Sequence, residues 1–244
     1  MKRAVKILVP AAFWVLLWAI LAQIVGQTFL LPDPATVAVR LWELGGTAFF
    51  WRSAGATVLR IFGGMFGGVL LGGIIAWLTF FLPWADLLLT PMVKIIRATP
   101  VASFILLVFL WTSRNAVPTI ISALMVLPVV WGGVMLGLGE TDGKLLELCR
   151  AYRFGRMKTV RLLYLPSVRP HFISAVQTAL GLAWKAGVAA EVLCQPQFAI
   201  GTQVFQSKNY LETADLFAWT AVVIALSFLV EYGVKRLIGK GAAR

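Results

Sequence analysis

Long stretches of the chain carry almost no charge, and they limit its fold more than any other feature. Ile7 to Val25, Ile61 to Leu82, a segment ending near Trp111, Val117 to Leu138, Phe172 to Leu193 and Leu216 to Ile238 are of this kind. About 20 mainly apolar residues cross a bilayer as a helix. Only 13% of the residues are charged and 60% are hydrophobic, whereas a soluble domain is nearer one quarter charged. The expected fold is all-α: a polytopic membrane protein with about six transmembrane helices at about 7–25, 55–82, 90–112, 116–138, 170–193 and 214–238. In 244 residues these helices and their connections leave no room for a second soluble domain, so 1–244 reads as one transmembrane domain.

The third stretch has sixteen uncharged residues, Ala98 to Ser113, so its helix is expected to begin earlier and to carry Lys94 and Arg97 at one end, snorkelling outward. Lys2, Arg3 and Lys6 ahead of the first stretch resemble the start of a signal peptide. No A-x-A site follows and the apolar run reaches Val25, so it reads as an uncleaved first helix. The balance of 22 Lys and Arg against 10 Asp and Glu, +12 in all, would suggest nucleic acid in a soluble chain. In a membrane chain it is accounted for by cations gathered on cytoplasmic loops, and no nucleic-acid partner is expected.

The cations alternate along the chain. The N-terminus carries three, while the much longer connection from Gly26 to Arg60 also has three, offset partly by Asp33 and Glu43. Lys94 and Arg97 follow the second stretch, Arg114 alone the third, and Lys144, Arg150, Arg153, Arg156, Lys158, Arg161 and Arg169 the fourth. Lys208 alone follows the fifth, and Lys235, Arg236, Lys240 and Arg244 end the chain. The positive-inside rule then places both termini in the cytoplasm with an even helix number. Cys149 and Cys194 fall on opposite sides of the membrane and should not pair.

No G-x-x-x-x-G-K-[ST] loop is present, there is one histidine, and the ten acids are scattered. No catalytic, cofactor-binding or metal-binding set is therefore expected. Leu31-Pro32-Asp33-Pro34, followed by Val37, Leu41 and Leu44 with Arg40 and Glu43 between them, reads as a turn and a short interfacial amphipathic helix. In the second stretch the glycine pairs 63/67, 64/68 and 68/72 allow close approach of helix backbones. Packing within one subunit is the favoured use of that spacing, ahead of a dimer seam or a pore wall. Lys185 and Glu191 are ionisable residues inside the fifth helix, and charges at membrane depth face cavities or partners. Six residues apart, they project at angles differing by roughly 240° on a regular helix, so they are not expected to pair. Lys185 lies deeper, while Glu191 lies within a turn of the external end, where it would reach water.

After the fourth helix, Glu140-Thr141-Asp142-Gly143 begins a run in which Leu145, Leu148, Cys149 and Tyr152 share a helical face. Phe154-Gly155 interrupts it, and Met157, Val160 and Leu163 continue. Arg150, Arg153, Arg156, Lys158 and Arg161 fall on the polar side. Composition alone fits a basic helix held by anionic headgroups about as well as a docking element for an acidic partner.

Glu147-Leu148-Cys149-Arg150-Ala151-Tyr152-Arg153, nine further residues and then Leu163-Tyr164-Leu165-Pro166 resemble the E-A-A-x-x-x-G-x9-I-x-L-P signature of ABC importer permeases. Leu148 and Cys149 stand for the two alanines, Arg153 for the glycine and Leu163 for isoleucine; Gly155 is a candidate for the displaced turn. Arg97-Ala98-Thr99-Pro100, Gly181 to Lys185, Ala189-Ala190-Glu191, Ile200-Gly201 and Tyr210 to Thr213 extend the resemblance to the nitrate, sulfonate and taurine branch. The resemblance implies a non-catalytic, homodimeric permease in the bacterial inner membrane that moves a small solute, an organic anion such as a sulfonate or a vitamin precursor. It implies two ATP-binding cassette subunits, an extracytoplasmic solute-binding protein, a second copy of the chain and membrane lipid as partners. It gives the loop 140–169 between helices 4 and 5 the role of coupling helix, with ATPase coupling at Glu147, Leu148, Cys149, Arg150, Ala151, Tyr152, Arg153, Phe154, Gly155 and Arg156. Trp184, Lys185 and Glu191 are candidates for the translocation path. A stand-alone secondary transporter or channel is the rival reading, against which stand the lack of an internal repeat and the scarcity of buried acids for ion coupling.

Overall fold

The computed structural model describes residues 2–242, with side chains at 9–234 and 236. Of the terminal cations counted above, Arg244 lies outside the described residues, as do the side chains of Lys2, Arg3, Lys6, Lys235 and Lys240. All the regular structure among the described residues is helical: α1 Lys2–Val25, α2 Pro34–Gly45, α3 Ala48–Phe81, α4 Pro83–Ala98, α5 Val101–Trp111, α6 Val117–Gly139, α7 Gly143–Ala151, α8 Arg156–Thr159, a π turn Val160–Tyr164, α9 Leu165–Cys194, α10 Ile200–Asn209 and α11 Thr213–Ala242. Four helical segments are long and apolar enough to cross a membrane: Ala48–Phe81, Val117–Gly139, Arg156–Cys194 and Thr213–Val234. The pair α4 and α5 passes the same test together, and α1 presents the shorter apolar stretch Val9–Val25.

The third expected helix, 90–112, is not one rod. Its chain is split between α4 and α5, which meet at an angle of 111°. Thr99 is extended, at φ −79° and ψ 132°, because the ring of the following proline excludes the helical conformation there. Pro100 offers no N–H to continue the ladder. Lys94 and Arg97 accordingly lie on α4, ahead of the break. The second helix begins at Ala48 rather than 55 and so includes Arg52 as well as Arg60.

The chain divides into two compact units. The larger comprises Val58–Ala190 with the chain from Ser227 onward, and α6 is its buried centre. Gly64, Gly68 and Gly72 of α3 lie against the α6 backbone: a Cβ at these positions would stand 2.1, 2.5 and 2.6 Å from the carbonyl oxygens of Thr119, Ala123 and Leu127. The favoured use of the glycine spacing, packing inside the chain, therefore holds for 64/68/72. Gly67 has nothing within 4 Å of the corresponding point, and at Gly63 a Cβ would reach only Thr119 Cγ2, at 3.9 Å, so the 63/67 pair is not a close backbone approach. On α6 itself, Gly133 and Gly137 make room for α9, at Ala175 and Val168. Two polar groups of this unit find partners on neighbouring helices, Trp131 Nε1 donating to Thr79 Oγ1 at 3.1 Å and Ser122 Oγ to the Ala183 carbonyl at 3.2 Å.

The smaller unit takes the chain up to Thr57 and Glu191–Leu226. Its core is Phe50, Ala54, Ile200, Trp219 and Val222, with Leu41 and Leu44 of α2 packed against them. The amphipathic helix read from Val37, Leu41 and Leu44 is α2. Pro34 opens it, and Asp33 caps it by accepting from the Thr36 N–H at 2.6 Å. Those Thr36 hydrogen bonds hold the Asp33 carboxyl below its ordinary pKa. Arg40 forms a two-pronged bond with Asp215 of α11, 2.5 and 2.8 Å, and a third bond to Glu43 at 2.7 Å. These carboxylates, Asp215 foremost, raise the guanidinium pKa further.

Candidate functional site

The segment from Asp142 to Pro166 is a short helix, a tight turn and the start of a long helix. Asp142 caps α7 through Lys144 N–H at 2.8 Å. At its other end the Arg153 N–H donates to the Arg150 carbonyl at 3.0 Å and the Phe154 N–H to the Cys149 carbonyl at 2.8 Å. This paired closure of a helix C-terminus requires a left-handed residue at its hinge, usually glycine. Arg153 takes that conformation, with φ 53°. A residue with a Cβ is disfavoured there by roughly 1 kcal/mol or more.

The bend therefore falls where the signature places its glycine, and Gly155 does not supply it. Gly155 is extended, with φ −63° and ψ 154°, and caps α8. From Arg156 the backbone is helical through to Cys194, so the latter half of the expected loop 140–169 belongs to the long helix. One turn of it, Val160–Tyr164, is wound as a π helix just ahead of Pro166. Proline's missing N–H and bulky ring break the regular ladder at that point. Tyr164 is held there by the ring of Phe81, 5.3 Å between centroids.

The face expected from Leu145, Leu148, Cys149 and Tyr152 is divided. Cys149 is buried at 5% exposure, while Leu145, Leu148 and Tyr152 are exposed, Tyr152 at 71%. Glu147, Arg150, Ala151, Arg153, Gly155 and Arg156 are exposed as well, and Phe154 is half-buried, covered by Lys158, whose Nζ lies 3.9 Å from its ring centre. Among the described residues the side chains of Glu147, Arg150, Arg153 and Arg156 make no ion pair. The turn thus offers one carboxylate, three guanidinium groups and exposed apolar side chains without internal partners.

The path candidates separate. Trp184 is buried at 3% exposure, with its indole N–H unpaired. Lys185 is exposed. Glu191, expected to reach water, is instead fully buried. Its Oε2 accepts from Thr57 Oγ1 at 2.9 Å and from the Gly201 N–H at 3.2 Å, while Thr57 Oγ1 accepts the Ile200 N–H at 3.0 Å. Ala199, at the N-cap of α10, has no side chain to serve the free amides of the first turn. Thr57 and Glu191 cap the helix in its place, and the carboxylate sits where the helix dipole favours negative charge. Thr57 carries no signal in the sequence, since its partners are far along the chain.

Cys149 and Cys194 are both buried and are not joined in a disulfide. Among the described residues no group of acids, histidines and cysteines is placed to hold a metal.

Residues 68–238 match the family model described as the binding-protein-dependent transport system inner membrane component. The chain belongs to this family. It is 23% identical over 221 residues to the taurine transport system permease protein of Escherichia coli, covering 88% of this chain and 80% of that one. It is 24% identical over 233 residues to a putative aliphatic sulfonates transport permease protein of Bacillus subtilis, with 95% and 84% covered. A nitrate import permease protein of Synechococcus elongatus is 24% identical over 197 residues, with 72% and 67% covered. The resemblance to the nitrate, sulfonate and taurine branch is thus borne out. Two solved structures share the fold: an amino acid ABC transporter, TM-score 0.60 at 17% identity with 75% and 87% of the chains covered, and an inward-facing methionine ABC transporter, TM-score 0.58 at 17% identity with 78% and 93% covered. The protein is an all-α, multi-pass inner-membrane permease of the ABC importer class.

Proposed function

We propose that this permease forms the solute pathway of an ATP-driven importer as a homodimer, one transmembrane domain over 1–244 per copy. Each copy crosses the membrane six times with both termini cytoplasmic, receives solute from an extracytoplasmic binding protein and docks an ATP-binding cassette subunit on the Glu147 to Arg156 turn. The family match carries the reading. The exposed turn supports it, because its backbone closes where the signature has its bend, Leu148 and Tyr152 are exposed, and Glu147, Arg150, Arg153 and Arg156 make no ion pair among the described residues. When ATP closes the two cassettes, the docked turns transmit that movement through α8 and α9 and switch the access of the pathway. The solute is a small organic anion of the sulfonate class, which is what the taurine and aliphatic sulfonate permeases among its relatives are named for. Lys185, exposed on α9, is the cation best suited to meet such an anion in the pathway, while the buried Trp184 is left to packing.

The test starts from tagged permease purified from the membranes of its own host. A cassette ATPase should accompany it, and the complex should hydrolyse ATP while the permease stripped of that subunit does not. Hydrolysis by the stripped permease would overturn the assignment. Uptake into proteoliposomes driven by an ion gradient without ATP would favour the stand-alone transporter.

A further inference from the structure

We propose that Arg153 is a specificity contact of the docking turn, a guanidinium held at its apex to meet an acidic rim on the ATPase subunit; this rests on the turn being the docking element. The hinge of the closure at the end of α7 needs a left-handed residue, and Arg153 occupies it at φ 53°. Glycine would take this conformation without steric cost, so the arginine side chain is kept against the preference of its own backbone. Strain of this kind, where packing does not require it, points to a function for the side chain. No such packing is present: Arg153 is exposed and makes no ion pair among the described residues.

The neighbourhood fixes the chemistry of the partner. Arg150 and Arg156 are exposed three residues to either side of Arg153, also without an ion pair among the described residues. Together the three guanidinium groups accompany the exposed side chains of Leu148 and Tyr152. A turn that exposes apolar side chains together with three cations is complementary to a groove with acidic edges, and planar guanidinium groups suit carboxylates in two-pronged pairs. Anionic headgroups would also attract cations, but they do not require one to stand on a left-handed hinge. Charges at a rim set recognition and association rate more than they set total affinity.

The experiment uses the ATPase complex isolated in the preceding test and compares Arg153→Gly, Arg153→Lys and Arg153→Glu. For the stripped permease, Arg153→Gly should raise the unfolding temperature because the hinge is relieved. For the complex the same change should weaken ATPase association about tenfold at low salt, with the difference from the parent closing as salt rises. Arg153→Lys should recover part of the loss, and Arg153→Glu should lose more than Arg153→Gly. These opposite signs in one variant separate a contact from a fold requirement. The proposal is overturned if Arg153→Gly and Arg153→Glu hold the ATPase like the parent at every salt concentration while Leu148→Asp releases it, a result that leaves the docking role of the turn intact. It is equally overturned if the variants keep the ATPase like the parent but co-purify with less phosphatidylglycerol, which would assign Arg153 to lipid. If no cassette ATPase accompanies the parent permease, the function proposed above fails first and Arg153 loses its partner.

Discussion

Glu191 shows at the residue scale how a charge flagged by its position is put to use. Its Oε2 serves both Thr57 and the first turn of α10, so removing the carboxylate orphans a buried hydroxyl and a backbone amide together. Glu191→Ala is expected to cost about 2–4 kcal/mol of stability, and Glu191→Gln, which keeps an acceptor oxygen, under about 1.5 kcal/mol. Thermal unfolding in detergent measures both. Thr57→Val in the Glu191→Ala background should add less than it does alone, because the two belong to one network; strict additivity would show that the network is not a unit. In the sequence Glu191 stood out because a carboxylate is rare in an apolar helix, but its burial did not, since a position near a helix end says nothing of what folds over it. The hydroxyl of Thr57 had no signal at all. Arg153 was legible as a departure from the signature, and only its φ showed that the departure leaves the bend in place.

Among the elements, α3 carries two glycine registers that spacing alone cannot rank, and its neighbour decides between them. Gly68→Ala would place a methyl group 2.5 Å from the Ala123 carbonyl oxygen, whereas Gly67→Ala meets nothing within 4 Å. The first should cost about 1–3 kcal/mol by forcing α3 and α6 apart, and the second should be neutral or stabilise by up to about 1 kcal/mol through helix propensity. Equal unfolding temperatures for the two variants would contradict the packing described. The break between α4 and α5 has a similar lesson. Hydropathy and charge located this span but carried no information on direction, so 90–112 read as one rod. Thr99-Pro100 held the missing term, because the residue before a proline is excluded from the helix.

For the whole molecule, the proposed membrane orientation rests on cation counts, and the natural thiols cannot report it because Cys149 and Cys194 are both buried. Tyr152 and Tyr210 are exposed, at 71% and 74%. In a chain carrying Cys149→Ser and Cys194→Ser, an impermeant thiol reagent on intact spheroplasts should label Tyr210→Cys and spare Tyr152→Cys. The reverse pattern would turn the topology over. The all-α class was legible because a long apolar stretch must satisfy its backbone hydrogen bonds within itself once in lipid. The capping of α10 was not, because it joins residues 134 positions apart. That separation imposes an order on biosynthesis. Thr57 leaves the ribosome long before Glu191 and α10 exist, and until they follow, its hydroxyl has neither of the partners it will keep. A nascent chain stalled after α6 should therefore be handled by membrane quality control as an unfinished protein, and one extended to Leu226, past the Trp219 and Val222 that complete the core around Ile200, should not. Pulse-chase degradation of the two truncations would show whether closing this small polar knot marks the moment at which the membrane accepts the subunit as complete.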